Sequence, residues 1–180
     1  MGDGEFSESW GPDRFGDPCR ECGLAWSFGL DEAIEIVMGS PDSYRRTIGS
    51  ASGGLGHPDL GWTLGAYVCH VGDNLGIWAQ WLAGAALESE TAVPGYDEVE
   101  LSRARYYTRV PLGGSLWHLE QATNSWSTAT GLALAGKVVL NHETRGPQSA
   151  TDVIRSNAHD AFHHEWDISR IISYNSASQP

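Results

Sequence analysis

Apolar residues recur along much of the chain at three- and four-residue intervals, the spacing that places them on one face of a helix. The clearest run, Leu64, Tyr67, Val68, Val71, Leu75, Trp78 and Leu82, predicts a long amphipathic helix from about Trp62 to Leu87. Leu116, Leu119, Thr123, Trp126 and Thr130 predict another. Val153, Ile154, Ala161, Ile168, Ile171 and Ile172 predict a last one, from about Ser149 to Ser173. Upstream, LDEAIEIVMG reads as a short helix ended by Gly39. Ser40 then serves as N-cap, with Pro41 in the first turn of a further helix that stops at Gly53 and Gly54. The segment between the second and third main helices is long and carries a short helix at DEVELSRARYY, closed by Pro111. KVVLN is a short strand or an extended linker, and HETRGP is a turn.

Four substantial helices with little strand signal predict an all-α four-helix bundle, and the long second-to-third connection allows a crossover. Residues 31–180 form the bundle in this scheme. Residues 1–30, rich in Gly, Pro and acidic side chains, form an irregular arm laid over it.

A length of 180 residues with 41% hydrophobic and 19% charged side chains suits a single globular core. The formal net charge of -12 argues against nucleic acid and anionic lipid as partners, since both select clustered Lys and Arg. No apolar run reaches the length of a membrane span, and the acidic, polar N-terminus is unlike a secretory signal. The expected location is the cytoplasm. The eight tryptophans read first as core filling, with Tyr67, Trp78 and Trp81 able to wall a pocket.

The three cysteines do not form a secreted disulfide framework. CRECG, with Cys19 and Cys22, has the spacing of a zinc knuckle but is half a site: no second CxxC or paired His motif follows at the usual distance, and His57 or Cys69 would have to complete it.

The segment NAHDAFHHEWDI concentrates candidate ligands. At about 100° per residue, Asn157, Asp160 and His164 fall within or beside the apolar stripe of the last helix. His159 and His163 project to the far, exposed side, where they could bind metal adventitiously. Asp160 and His164 thus form an inward i, i+4 pair. They either hydrogen-bond each other or a Tyr across the bundle, or they hold a divalent cation, which would compensate the buried carboxylate. His70, in AYVCHVGDNL on the flank of the long helix, makes the set one carboxylate and two imidazoles from two helices, with coordination positions left open for chemistry.

The block HVGDNL, the Tyr-Asp-x-x-x-x-Leu segment YDEVEL, and DAFHHEWDI together resemble the DinB-like superfamily, in particular its mycothiol-dependent maleylpyruvate isomerase and S-transferase branch, over about residues 55 to 175. The resemblance implies a four-helix bundle with a divalent metal held by His70, Asp160 and His164. Zinc is the first choice, with nickel, iron and manganese the others. It also marks Asp167 as a group in the pocket or behind a ligand, able to orient that ligand or handle a proton. Asp160 stands where the isomerase pattern has Glu, and the CRECG arm lies outside the shared core.

Three functions fit these residues. In the first, the metal acidifies a low-molecular-weight thiol cosubstrate and delivers it to a small-molecule electrophile, for transfer or for thiol-assisted isomerisation. In the second, the metal assists hydrolysis or a rearrangement without a thiol, with Asp167 as candidate base. The third is a non-catalytic, metal-stabilised stress or interaction module. A homodimer is compatible with all three. His142 and Arg145, in the NHETRG turn, read as solvated in preference to a pocket mouth, and RRTIGS and SRARYYTR as charged helix faces.

Overall fold

A computed structural model describes residues 8–177; residues 1–7 of the arm and residues 178–180 lie outside the described residues. The chain is a four-helix bundle built from α2 (Leu30–Ile48), α3 (Leu64–Glu88), α5 (Leu112–Gly136) and α6 (Ala150–Ala177). Helix α3 packs along α5 and α6, and α2 packs along α6 and α5. The two consecutive helices α2 and α3 therefore sit across a diagonal, and the long second-to-third connection runs between neighbours.

The core where these faces meet contains Tyr44, Leu64, Leu75, Leu82, Leu119, Trp126, Ile154, Ile168 and Ile171, all buried. At Gly72 the α3 and α5 backbones come so close that an added Cβ would meet Cδ2 of His118 at 2.7 Å. The Trp126 indole N–H donates to Oδ1 of Asn157 at 2.8 Å, which fixes α5 against α6 below the candidate ligands.

The two helices expected on either side of Gly39 are one. Helix α2 runs through Gly39, Ser40 and Pro41 without a break. Pro41 has no N–H to offer the carbonyl four residues back. The Ser40 hydroxyl donates to that carbonyl, Val37 O, at 2.7 Å, and so replaces the missing bond. Pro111 likewise does not close the preceding segment but stands as the N-cap of α5.

The connection carries α4 (Glu98–Ala104), capped by the Asp97 carboxylate, which accepts from the Val99 and Glu100 amides. It is anchored by buried Asp73 of α3, which takes hydrogen bonds from Tyr107 Oη at 2.6 Å and His118 Nε2 at 2.8 Å and faces Arg105 Nε at 3.0 Å. Burial opposes the Asp73 charge, but these donors hold the carboxyl below its ordinary range. SRARYYTR thus contributes an anchor as well as a charged face.

A small sheet completes the fold, and KVVLN, read as a short strand or an extended linker, enters its middle strand. Its strands β1 (Ala92–Val93), β2 (Val139–His142) and β3 (Gly146–Ser149) lie in that order, β1 parallel and β3 antiparallel to β2. The β2–β3 hairpin leads directly into α6, whose first turn is fixed by reciprocal bonds between Ser149 and Asp152.

The arm contributes α1 (Pro12–Phe15), a single turn with Pro at its start. Among the described residues, no helix is long and apolar enough to cross a membrane.

Candidate metal centre

The two-helix ligand set comes together at one point. His70 Nε2 of α3 lies 3.6 Å from Asp160 Oδ1, and His164 Nε2 of α6 lies 3.5 Å from the same oxygen. The three donor atoms are all within 4.8 Å of one another. These separations exceed a charge-assisted hydrogen bond, which is about 2.7–2.9 Å. They are close to the roughly 3.4 Å that separates N and O ligands on a tetrahedral ion with bonds of about 2.0–2.1 Å. The donor set and its spacing therefore fit a divalent cation better than a directly bonded Asp–His pair.

Each donor is held from behind. His164 Nδ1 bonds Asp167 Oδ2 at 3.0 Å, which leaves Nε2 free to face the centre. Asp160 Oδ2 accepts from Asn74 Nδ2 at 2.8 Å, and Asn74 Oδ1 accepts from Tyr96 Oη at 2.8 Å. The i, i+4 spacing of His70 and Asn74 on α3 thus places a ligand and a brace on one face. Buried His70 differs: among the described residues its Nδ1 has no hydrogen-bond partner. Its ring is instead wedged between Trp62 and His164, at centroid distances of 4.8 and 4.9 Å.

The electrostatics are those of a partly buried ion pair. Burial works against a charge on His164, but the Asp160 and Asp167 carboxylates outweigh it and push its pKa up to about 9. Asp160 moves the other way: despite burial, His164 and His70 hold it well below the usual carboxylate range.

The centre opens into a cavity of about 140 Å³ whose walls include His70, Asn74, Trp78, Tyr96, Asp160 and His164. The arm supplies Trp10, Arg14 and Phe15 to the same cavity, and the β2–β3 hairpin supplies Arg145. The NHETRG turn is therefore not simply solvated. His142 is buried with its ring stacked on Trp78 at 5.7 Å, and Arg145 lines the cavity while pairing with Glu8 at 2.7 Å. Tyr67 packs at a tilt against His164 at 5.1 Å without lining the cavity, and Trp81 meets Trp78 edge-on. Asp167 is buried behind His164 and does not line the cavity, an arrangement suited to orienting a ligand.

Two expectations about the other candidate ligands are corrected. His159 and His163 are not exposed: they are 2% and 9% accessible, lie under the arm, and line the same cavity as His70 and His164. Phe15 and Trp26 lie 4.5 and 4.6 Å from the His159 ring. Burial brings the His159 pKa down to about 4, with His163 contributing, and lowers His163 as well. Neither His57 nor Cys69 completes the CxxC. The Cys69 thiol pairs with Ser115 Oγ at 3.1 Å, and His57 packs edge-on against Tyr174 at 4.8 Å. Cys19 and Cys22 lie instead beside His163 and His159.

Asn74 and Tyr96 were given no role by the sequence, although both lie within the blocks HVGDNL and YDEVEL; only the fold shows that they brace Asp160. No protein-family model matches the chain. No curated protein matches it either. Among solved structures it is similar to YfiT from Bacillus subtilis, described as a probable metal-dependent hydrolase with an unusual four-helix bundle topology. The likeness has a TM-score of 0.70 and 19% identity, and covers 82% of this chain and 87% of that one. At that identity the two share a fold.

Proposed function

We propose that this chain is a metal-dependent enzyme of the DinB-like type, with His70, Asp160 and His164 as ligands, acting on a small electrophilic substrate that carries an anionic group. The observation that carries this is the convergence of the three donors, at ligand-to-ligand spacing, on the floor of a cavity flanked by Arg14 and Arg145. A divalent cation held there would leave a coordination position free and would acidify a bound thiol or water, or polarise a carbonyl.

The chain's own groups do the rest. Asn74 and Asp167 fix the orientation of Asp160 and His164, so that the ligands need no rearrangement on loading. Arg14 and Arg145 are placed to bind a carboxylate or phosphate, while Trp10, Phe15 and Trp78 exclude water from the reacting centre.

Between a thiol and water, the proposed nucleophile is a thiol, mycothiol-like in the DinB-like precedent. A metal-bound thiol would lose its proton outright, whereas metal-bound water titrates near neutral pH and gains more from a neighbouring base. Asp167 bonds His164, and among the described residues the carboxylate on the cavity wall besides Asp160 is Glu98. The hydrolytic alternative has its own support in the likeness to YfiT, and would use Glu98. The same proposal places the protein in the cytoplasm, where low-molecular-weight thiols are abundant.

The test is turnover of a panel of carboxylated electrophiles and esters by zinc-, nickel-, iron- and manganese-loaded protein, with and without a low-molecular-weight thiol. Thiol-dependent turnover that vanishes in His70→Ala supports the proposal. Thiol-independent turnover that drops in Glu98→Gln selects hydrolysis. Activity that survives loss of His70 overturns the site.

A further inference from the structure

The arm and the last helix meet at a second cluster of ligating groups. Cys19 Sγ lies 3.8 Å from His163 Nδ1, and Cys22 Sγ lies 3.8 Å from His159 Nε2. All four donor atoms are within 4.8 Å of one another. Zinc bonds of about 2.3 Å to sulfur and 2.0–2.1 Å to nitrogen, at tetrahedral angles, put S and N roughly 3.6 Å apart. The spacing found is close to that value, with both sulfurs and both imidazoles turned to a common centre.

We propose that Cys19, Cys22, His159 and His163 form a tetrahedral structural zinc site that clamps the N-terminal arm onto α6.

The ligand spacing is that of a Cys2His2 centre: C-x2-C in the arm and H-x3-H on the helix. The unusual feature is the separation, since the two halves are brought together by the whole bundle. Each half is shaped for the task. Gly23 follows the second cysteine in the left-handed region at φ 76°, which allows the tight turn closed by Gly23 N donating to Cys19 O at 3.0 Å. His163 presents Nδ1 to Cys19 while its Nε2 faces Glu21 Oε2 at 3.2 Å, a carboxylate bracing the ring of a zinc-binding imidazole. Glu21 stands between the two cysteines, so the knuckle supplies both ligands and a brace. The four positions are filled by protein, and a closed set of this kind is structural.

Its placement ties it to the other centre. Helix α6 offers two i, i+4 pairs offset by one residue, His159/His163 and Asp160/His164, which project about 100° apart. The first pair takes the arm, and the second faces the bundle. Trp10, Arg14 and Phe15, upstream of the knuckle, line the cavity over His70 and His164. The clamp therefore holds the roof of that cavity in place.

The decisive experiment is metal analysis and cobalt substitution of three full-length proteins: wild type, Cys19→Ser/Cys22→Ser, and His70→Ala/His164→Ala. The expected wild type holds two zinc ions per chain, and its cobalt form shows sulfur-to-metal charge transfer in the near ultraviolet. The cysteine variant loses one ion and that band; the histidine variant loses the other ion and keeps the band. Should the cysteine variant fail to fold, titrating wild-type thiols with an organomercurial reads the same site: one zinc should be released as two thiols react. Unchanged metal content and spectrum without the cysteines, or no zinc released by the mercurial, overturns the clamp. One zinc lost with the cysteines and none with His70 and His164 supports it and overturns the bundle centre instead.

Discussion

Asp167 and His164 stand three residues apart on α6, with Oδ2 of the carboxylate 3.0 Å from Nδ1 of the imidazole. The contact leaves Nε2 as the ring nitrogen that faces Asp160 and His70. Carboxylates placed behind metal-binding imidazoles fix the tautomer and raise the basicity of the donor nitrogen. Asp167→Ala is therefore expected to weaken zinc binding at the bundle centre by about 10–100-fold, with Asp167→Asn less damaging because the amide oxygen can still accept from Nδ1. Competition with a calibrated chelator measures it. Equal zinc affinity in wild type and Asp167→Ala would show that His164 needs no such support.

The same pair predicts a pH dependence for the metal-free protein. The ordinary value for His164 is 6.5; burial lowers it, and the Asp160 and Asp167 charges more than compensate, pushing it up to about 9. A folded value above the unfolded one means that the pairing stabilises the fold fully below pH 6.5 and is lost as pH rises through about 9. Melting temperatures of the chelated protein should accordingly fall between those limits. In His164→Asn that portion of the decline should be absent. Identical profiles for the two proteins would mean that His164 carries no charge in the metal-free state.

Ser40 offers a test of a different kind. Its hydroxyl is the partner of Val37 O, a carbonyl that Pro41 cannot serve. Ser40→Ala leaves that group buried beside the core without a donor and should cost about 1–3 kcal/mol. Chemical denaturation would read it as a lower midpoint at unchanged slope. Pro41→Ala in the Ser40→Ala background restores an N–H and should recover part of the loss. A neutral Ser40→Ala would show that the helix tolerates the gap.

These cases also show what the chain discloses before it folds. Three of the four long helices follow from 3.6-residue periodicity because each buries one stripe, and Asp160 and His164 were found by projecting that stripe. Gly39-Ser40-Pro41 misleads because a capping serine and a proline at a helix start look the same as a serine that rescues a proline inside one. Of the sheet only the middle strand was legible, in KVVLN; the other two, of two and four residues, carry too little alternation to register. His159 and His163 were assigned to solvent because they fall outside the apolar stripe, and it is the arm, whose path no periodicity encodes, that buries them. The histidines that meet the CxxC lay in view as H-x3-H, but more than a hundred residues downstream of Cys22.

Arg145 carries the prediction about substrate. Its guanidinium reaches the cavity from the β2–β3 hairpin, pairs with Glu8 at 2.7 Å, and lies 6.0 Å from the centroid of the Trp78 ring. Arg14, on the arm, pairs with the same Glu8 carboxylate at 3.0 Å, so both cations are held over one opening by a single acid. An anionic substrate group would compete with Glu8 for them. Removing one such charge-assisted contact costs about 1.5–3 kcal/mol, so Arg145→Ala should raise KM for carboxylated substrates by about 10–100-fold with a smaller change in kcat. A neutral ester of the same substrate should be nearly indifferent to the substitution, and Glu8→Gln should lower KM for the acid by releasing both arginines. If Arg145→Ala affects the acid and its ester alike, the arginine serves to seat the hairpin and not to select charge.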